Sequence, residues 1–332
     1  MPGNKQQSVL AVDLGGTKTI VAAVLPSGKI ISRKYYLTLA DEGTRAILSR
    51  LSSAINRSIA QSGLKNTELI GIGIAVAGIL DTRKGIVTTS PNLPGWHNVQ
   101  LRDVIAARSS LATYLINDAS AAALGEHRFG AGRGFDNMLY LTVSTGIGGG
   151  IIINGKLYSG ADGCAGELGH ITIEANGPQC HCGNFGCLEA LASGWAIARE
   201  AVTRINHGDS SSIAELVDGR LENVTAETVA TAARGGDELA CEIVAKAANY
   251  LGIGLANLVN IFNPELIVIG GGLSKMGNML LNPAEKVIKE RAFRLPAQSV
   301  RVVRARLGSN AGIIGAAAYV YDHRVEGGVL HS

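Results

Sequence analysis

Three cysteines and a histidine crowd into "ELGHITIEANGPQCHCGNFGCLEA", residues 167–190, a segment too rich in Gly, Asn and Pro to be one helix. His170, Cys180, Cys182 and Cys187 offer one imidazole and three thiolates, the tetrahedral set that zinc takes in structural sites, with no position left for activated water. A structural Zn²⁺ is therefore expected. His181 competes as a ligand, but between two ligating cysteines it would have to double back, which favours His170. The odd count of five cysteines disfavours disulfides, and Cys164 and Cys241 read as small apolar fillers. Glu167 lies three residues before His170 and Glu189 two after Cys187, so a metal that fixes the loop fixes two carboxylates near one another. Paired carboxylates can accept hydrogen bonds from vicinal hydroxyls.

Three glycine turns suggest phosphate chemistry. "DLGGTK" at 13–18 follows an apolar run, and Gly15 and Gly16 let the backbone turn tightly and bring N–H groups close to an anion. Asp13 could orient a hydrated Mg²⁺, with Thr17 and Lys18 reaching phosphate. The G-x-x-x-x-G-K-[ST] spacing is missing, so a Walker-type loop is not expected. "STGIGGG" at 144–150, carrying Thr145 and Gly146, is a second such turn. "GGGLS" at 270–274, carrying Gly271 and Gly272, is a third, where adenosine could lie against bare backbone. One glycine pair is as well explained by a plain hairpin; three in one chain are not.

In "LINDASAAALGEH" a strand-like run ends at Asn117-Asp118 and an alanine-rich helix begins. By residue type alone Asp118 is an N-cap. The chemical alternative makes its carboxylate a general base for an attacking hydroxyl.

These residues need elements to hold them. The order apolar run, glycine turn, apolar run, Ser-Gly turn in Leu10–Ile30 returns in Leu139–Gly160, with Asn154-Gly155 as a tight hairpin turn. Between the two, helical periods at about 43–62 and 101–108 alternate with strand periods at 69–78 and 112–118, the pattern of an α/β architecture. Further on, helices are expected at 188–206, 225–234, 237–262, 276–293 and 311–323, with strands at 265–272 and 300–305 and a frayed tail over 324–332. The duplication predicts two lobes around a nucleotide cleft: 1–120 with about 311–332, and 121–310 with the zinc loop, hinged near 119–122.

Composition agrees with two compact cores. The chain has 332 residues, 46% hydrophobic and 17% charged, and its net charge of +3 comes from basic and acidic residues scattered without a stripe. Nucleic acid is not an expected partner. Neither a secretory leader nor a run of about 18 uncharged apolar residues is visible, so a cytoplasmic protein without membrane contact is expected.

The set "DLGGTK", "INDASAAALGE", "STGIGGG", "ELGH" and "CHCGNFGCLEALASG", in this order, resembles the ROK family of repressors and sugar kinases, across essentially the whole chain. The resemblance implies the duplicated actin-like (ribonuclease H-like) two-lobe ATPase fold with an interlobe cleft. It implies ATP and Mg²⁺ as cofactors beside the zinc, Asp118 as catalytic base, and Asn117, Glu167, His170 and Glu189 at sugar hydroxyls, with Gly78 and Asn92 at further sugar-side positions. The expected reaction is γ-phosphoryl transfer from ATP to the 6-hydroxyl of a hexose, glucose first, with N-acetylmannosamine and other hexoses as alternatives and polyphosphate open as a donor. A dimer or tetramer is implied as well. ROK regulators share this body behind a DNA-reading module; Asp13 lies near the start, so an enzyme is expected instead. A zinc-ribbon nucleic-acid binder would need a second cysteine pair and a basic stripe, and neither is present.

Overall fold

The structure, a computed structural model, describes residues 7–329. By their internal contacts the residues form two compact units: those up to Gly134 with Gly150–Gly166 and from Arg306 on, and Phe135–Gly149 with Glu167–Ala305.

The first unit begins with β1 (Ser8–Leu14), β2 (Lys18–Val24) and β3 (Ile30–Leu37), then α1 (Thr44–Ser62) and β4 (Leu69–Val76). Three short strands follow, β5 (Ile79–Asp81), β6 (Ile86–Thr89) and β7 (His97–Val99), then α2 (Leu101–Ser109), β8 (Thr113–Asn117) and α3 (Asp118–Phe129). The main sheet runs β3-β2-β1-β4-β8, antiparallel at the hairpins and parallel from β1 onward. Successive residues of a strand face opposite sides, and on β1 both sides are apolar. Leu10, Val12 and Leu14 enter one buried cluster with Ile47 and Ile55 of α1, while Val9 and Ala11 enter another with Ile313 and Val320. A strand covered on both faces has to read as a continuous apolar run, and "VLAVDL" does so apart from Asp13. The three-stranded sheet β5-β6-β7 was not legible as strands in the sequence.

β9 (Met138–Val143), β10 (Ile147–Ile153) and β11 (Lys156–Leu157) repeat the opening pattern, and Asn154 and Gly155 both take positive φ, as their hairpin turn requires. There follow α4 (Leu188–Ala192), α5 (Gly194–Asn206), α6 (Ile213–Leu216), α7 (Ala226–Arg234) and α8 (Glu238–Phe262). Then come β12 (Leu266–Gly270), α9 (Asn278–Arg291), α10 (Arg294–Ser299), β13 (Arg301–Arg304) and α11 (Ala311–Val329). The second sheet, β11-β10-β9-β12-β13, has the same order of first, second and third strands and two parallel additions as the first. The duplication read from the sequence is thus topological.

Several element boundaries differ from expectation. The single helix expected over 188–206 breaks at Ser193, which caps α5 by accepting from Ala196 N–H, because Gly194 N–H is drawn instead to the Ser144 carbonyl at 2.7 Å. The helix expected over 276–293 begins as a 3-10 turn, Gly272–Met276, and is followed by α10, which was not expected. The tail expected to fray is helical as far as Val329, and residues 330–332 lie outside the described residues. Asp118 opens α3 rather than closing the strand, and residues 119–122 lie inside that helix.

α3 and α11 approach closely at two glycines: a Cβ on Gly315 would stand 1.6 Å from the Ala121 carbonyl oxygen, and one on Gly125 2.5 Å from that of Ala311. Glu126, fully buried, accepts from Ala131 N–H at 2.8 Å and Leu307 N–H at 2.7 Å, so its carboxylate is satisfied. Among the described residues α8 is long and apolar enough to cross a membrane by composition, but it is a core helix, packed on α9 through Gly252 and capped by Asp237 and Asn263.

Candidate active site

Asp13 is the penultimate residue of β1, beside the glycine turn, where Gly15 N–H donates to the Lys18 carbonyl at 3.1 Å and closes the hairpin. Thr17 and Lys18 are exposed at the turn. Gly16 is pressed on the loop carrying Asn92: a Cβ there would lie 2.5 Å from the Asn92 carbonyl oxygen. Burial and the nearby charge of Asp118 push the Asp13 carboxyl up to about 6, with Lys18 and Arg33 pulling the other way. Two carboxylates thus face one small region of the first unit. Two buried like charges in proximity are a place where a divalent cation fits, because it relieves both desolvation and repulsion.

The cap at the start of α3 belongs to Asn117. Its Oδ1 accepts from Ala119 N–H at 3.0 Å and Ser120 N–H at 3.1 Å, while its Nδ2 donates to the Gly78 carbonyl at 3.3 Å. Asp118 is the first helical residue, and one of its oxygens accepts from Ala119 N–H at 2.9 Å. Since the neighbouring asparagine does the capping, the cap reading of Asp118 is overturned. Desolvation raises the Asp118 carboxyl above its ordinary range, only partly offset by the backbone N–H groups it accepts from. Gly78 has φ +122°, and a Cβ there would stand 2.1 Å from the Thr89 carbonyl oxygen, so the position admits glycine alone.

In the second unit the expected metal ligands come together: one donor atom from each of His170, Cys180, Cys182 and Cys187 lies within 4.8 Å of the others. Cys182 and Cys187 sulfurs are 3.7 Å apart, and the Cys180 sulfur is 3.7 Å from His170 Nδ1. Burial and the neighbouring thiols and Glu189 push the Cys180 thiol up to about 12 and raise Cys187 too. Such crowding of soft donors is relieved by a soft cation that takes them as thiolates, so the set fits a four-coordinate zinc. The other ring nitrogen, His170 Nε2, lies 3.8 Å from Glu167 Oε2, so the carboxylate stands beside the imidazole but beyond hydrogen-bond distance. His181 does not compete: its ring stacks on Trp195, centroids 4.3 Å apart. Cys164 and Cys241 are exposed, not the buried fillers expected, with their sulfurs turned to the Leu80 and Ala233 carbonyls.

Glu189, in the first turn of α4, joins two features that the sequence left separate. Its Oε1 is 3.6 Å from the Cys180 sulfur, and its Oε2 accepts from Ile147 N–H at 2.8 Å, against the turn that holds Thr145 and Gly146. A Cβ on Gly146 would meet that Oε2 at 2.5 Å. The turn is also held by α5, whose Gly194 and Trp195 N–H groups donate to the Ser144 and Thr145 carbonyls. Gly271 has φ +80° and packs on the Val143 carbonyl, and Gly272 lines a cavity of about 500 Å³ with Ser144, Thr145, Gly194, Trp195, Thr225, Arg234 and Lys275.

Sequence reasoning missed most of that cavity wall, whose residues come from four separate segments with no shared spacing. The one local signal was Thr225, the N-cap of α7, with Thr228 in a reciprocal cap. It also missed Arg33, on β3 opposite Ala22, whose guanidinium donates to Asn310 and tempers Asp13.

The ROK family model matches residues 9–323. A glucokinase from Thermotoga maritima is 39% identical over 314 residues, covering 95% of this chain and 97% of that one. A solved ROK family glucokinase from Streptomyces griseus, in complex with glucose and AMPPNP, is 35% identical with a TM-score of 0.80, covering 95% of this chain and 99% of that one. A xylose repressor from Caldicellulosiruptor bescii is 34% identical over 313 residues, covering 94% of this chain and 78% of that one.

Proposed function

The chain belongs to the ROK family, and from that premise we propose that it is an ATP-dependent sugar kinase with the actin-like ATPase fold, transferring the γ-phosphoryl group to the 6-hydroxyl of glucose. The observation that carries this reading is at the start of α3, where Asn117 takes the cap and leaves the Asp118 carboxylate for chemistry beside Asp13.

Phosphoryl transfer is mostly positioning and charge neutralisation, so Asp118 need only orient the hydroxyl and accept its proton as the bond forms. Its raised carboxyl pKa makes it a better proton acceptor than a solvated aspartate, provided it is ionised when the sugar arrives. Bound Mg²⁺ supplies charge neutralisation on the phosphates, and Asp13 would hold its hydration shell. Thr17, Lys18, Thr145 and Gly146 would contact phosphate, and Gly272, next to Gly271 in the third glycine turn, would leave room for adenosine in the cavity it lines. His170, Cys180, Cys182 and Cys187 would hold zinc, which keeps the loop folded and so keeps Glu167, His170 and Glu189 in place for sugar hydroxyls. Within the first unit, Gly78, Asn92 and Asn117 would be the sugar-side residues.

The printed names of the glucokinase relatives favour glucose, and the match to a repressor leaves a sugar-binding regulator as the rival. A coupled ADP-release assay over a hexose panel, N-acetylmannosamine included, decides. ADP formed fastest with glucose is the expected result; sugar binding without ADP removes the kinase reading. Reduced thiols and ATP both suit a cytoplasmic address. Exposed Ile261, Phe293 and Leu295 offer apolar surface for a homo-oligomer, which sedimentation would detect.

A further inference from the structure

Trp195 has no part in the proposed chemistry, yet it touches both the metal cluster and the cavity. It packs against Cys180, Cys187 and Ala190. Its ring stacks on His181 at 28° from parallel, and the Arg199 guanidinium carbon lies 4.6 Å from its ring centroid. Arg199 is itself fixed by donating to the Ala190 carbonyl at 2.9 Å. The Trp195 backbone N–H donates to Thr145, and the residue borders the 500 Å³ cavity. His181 stands between Cys180 and Cys182 in the chain, so its ring goes where the metal loop goes.

We propose that Trp195 is a positioning residue that links the metal state of the cysteine cluster to nucleotide affinity. With the loop folded on its metal, His181 and Arg199 both rest against the indole, and one wall of the cavity is in place before ADP or ATP arrives. Without the metal the His181 ring leaves, Trp195 regains rotamer freedom, and each binding event must order it again. This rests on the reading of the cavity as the nucleotide site.

The test is calorimetric titration of Mg·ADP into wild type, His181→Ala, His181→Phe and Cys182→Ser, with zinc content measured on each sample. His181 is exposed, so its replacement should leave the fold intact. His181→Ala is expected to keep its zinc and bind ADP about two- to tenfold more weakly, the fold-change that an aromatic stack is worth. His181→Phe, which can stack but cannot ligate or titrate, should restore most of the affinity. Cys182→Ser should lose zinc and at least as much ADP affinity. For His181→Ala the ATP KM should rise with kcat unchanged, since the lost contact acts on binding. Wild-type ADP affinity in zinc-replete His181→Ala overturns the link, as does wild-type affinity in zinc-free Cys182→Ser. Loss of zinc from His181→Ala would make His181 a ligand and overturn the assignment too. A zinc-loaded wild type that binds no ADP removes the nucleotide reading of the cavity, and this inference with it.

Discussion

The two glycine hairpins head sheets of identical strand order, but they are held in opposite ways. At the first, Gly16 is set against backbone, the Asn92 carbonyl, and the nearby carboxylates of Asp13 and Asp118 are left with raised pKa values. At the second, a carboxylate is spent on the turn itself: Glu189 takes the Ile147 N–H, and the first turn of α5 takes two carbonyls. Duplication preserved the path of the backbone, and the surroundings divided the labour. One copy leaves two carboxylates with raised pKa values in one region; the other is braced from the metal loop and lies beside a cavity of about 500 Å³.

Asp118→Asn tests the first half most severely. Turnover should fall about 10²- to 10⁴-fold, the usual worth of a general base, with sugar affinity kept; turnover near wild type would make Asp118 a structural residue after all. Cys182→Ser tests the second half: zinc should be lost and sugar KM should rise about 10- to 100-fold, the scale on which metal-site supports act. Zinc lost with unchanged kinetics would detach the loop from the site.

Asp13 gives a pH-dependent contrast. Its folded-state pKa of about 6 lies above the ordinary aspartate value of 3.8, so the ionised carboxylate destabilises the ligand-free fold above pH 6, and the penalty disappears below about pH 4. Asp13→Asn should therefore be inactive yet more stable than wild type by about 2 kcal/mol at pH 8 in the absence of Mg²⁺, with the gain shrinking as pH falls through 6 toward 4. Denaturant melts at several pH values would show it, and an advantage that grew on acidification would contradict the burial of this charge. In the same window wild-type kcat/KM should decline as pH drops through about 6, since the site needs its carboxylates ionised.

The smallest effects come from the turns. A Cβ at Gly16 meets rigid backbone, while at Gly146 it meets the end of the Glu189 side chain. Gly16→Ala should cost about 2 kcal/mol of stability, and Gly146→Ala about 1 kcal/mol, the worth of the displaced Glu189 hydrogen bond. Equal costs would mean that Glu189 is held as rigidly as backbone.

Much of this was legible in the residues. The metal donors could be named because a ligand set is a matter of residue type and short spacing, and "CHC" with Cys187 five positions on leaves few alternatives. The hairpin at Asn154-Gly155 was legible for the same local reason. The break at Ser193 was not, because nothing within 188–206 announces that Gly194 is wanted by Ser144 fifty residues earlier. Cys164 and Cys241 were misplaced because cysteine type predicts burial only on average, and each sulfur here finds a carbonyl near the surface.

By itself the sequence determined the donor set for zinc, the two hairpin turns and the apolar strands that build two like sheets, since periodicity, turn chemistry and ligand identity act over a few residues. Tertiary structure decided what the carboxylates meet: Asp13 charged against Asp118, Glu189 bound to a turn forty-two residues away. Those outcomes depend on which distant backbone N–H or charge arrives within about 3–6 Å, the range over which hydrogen bonds and buried charges act, and no local pattern encodes that distance.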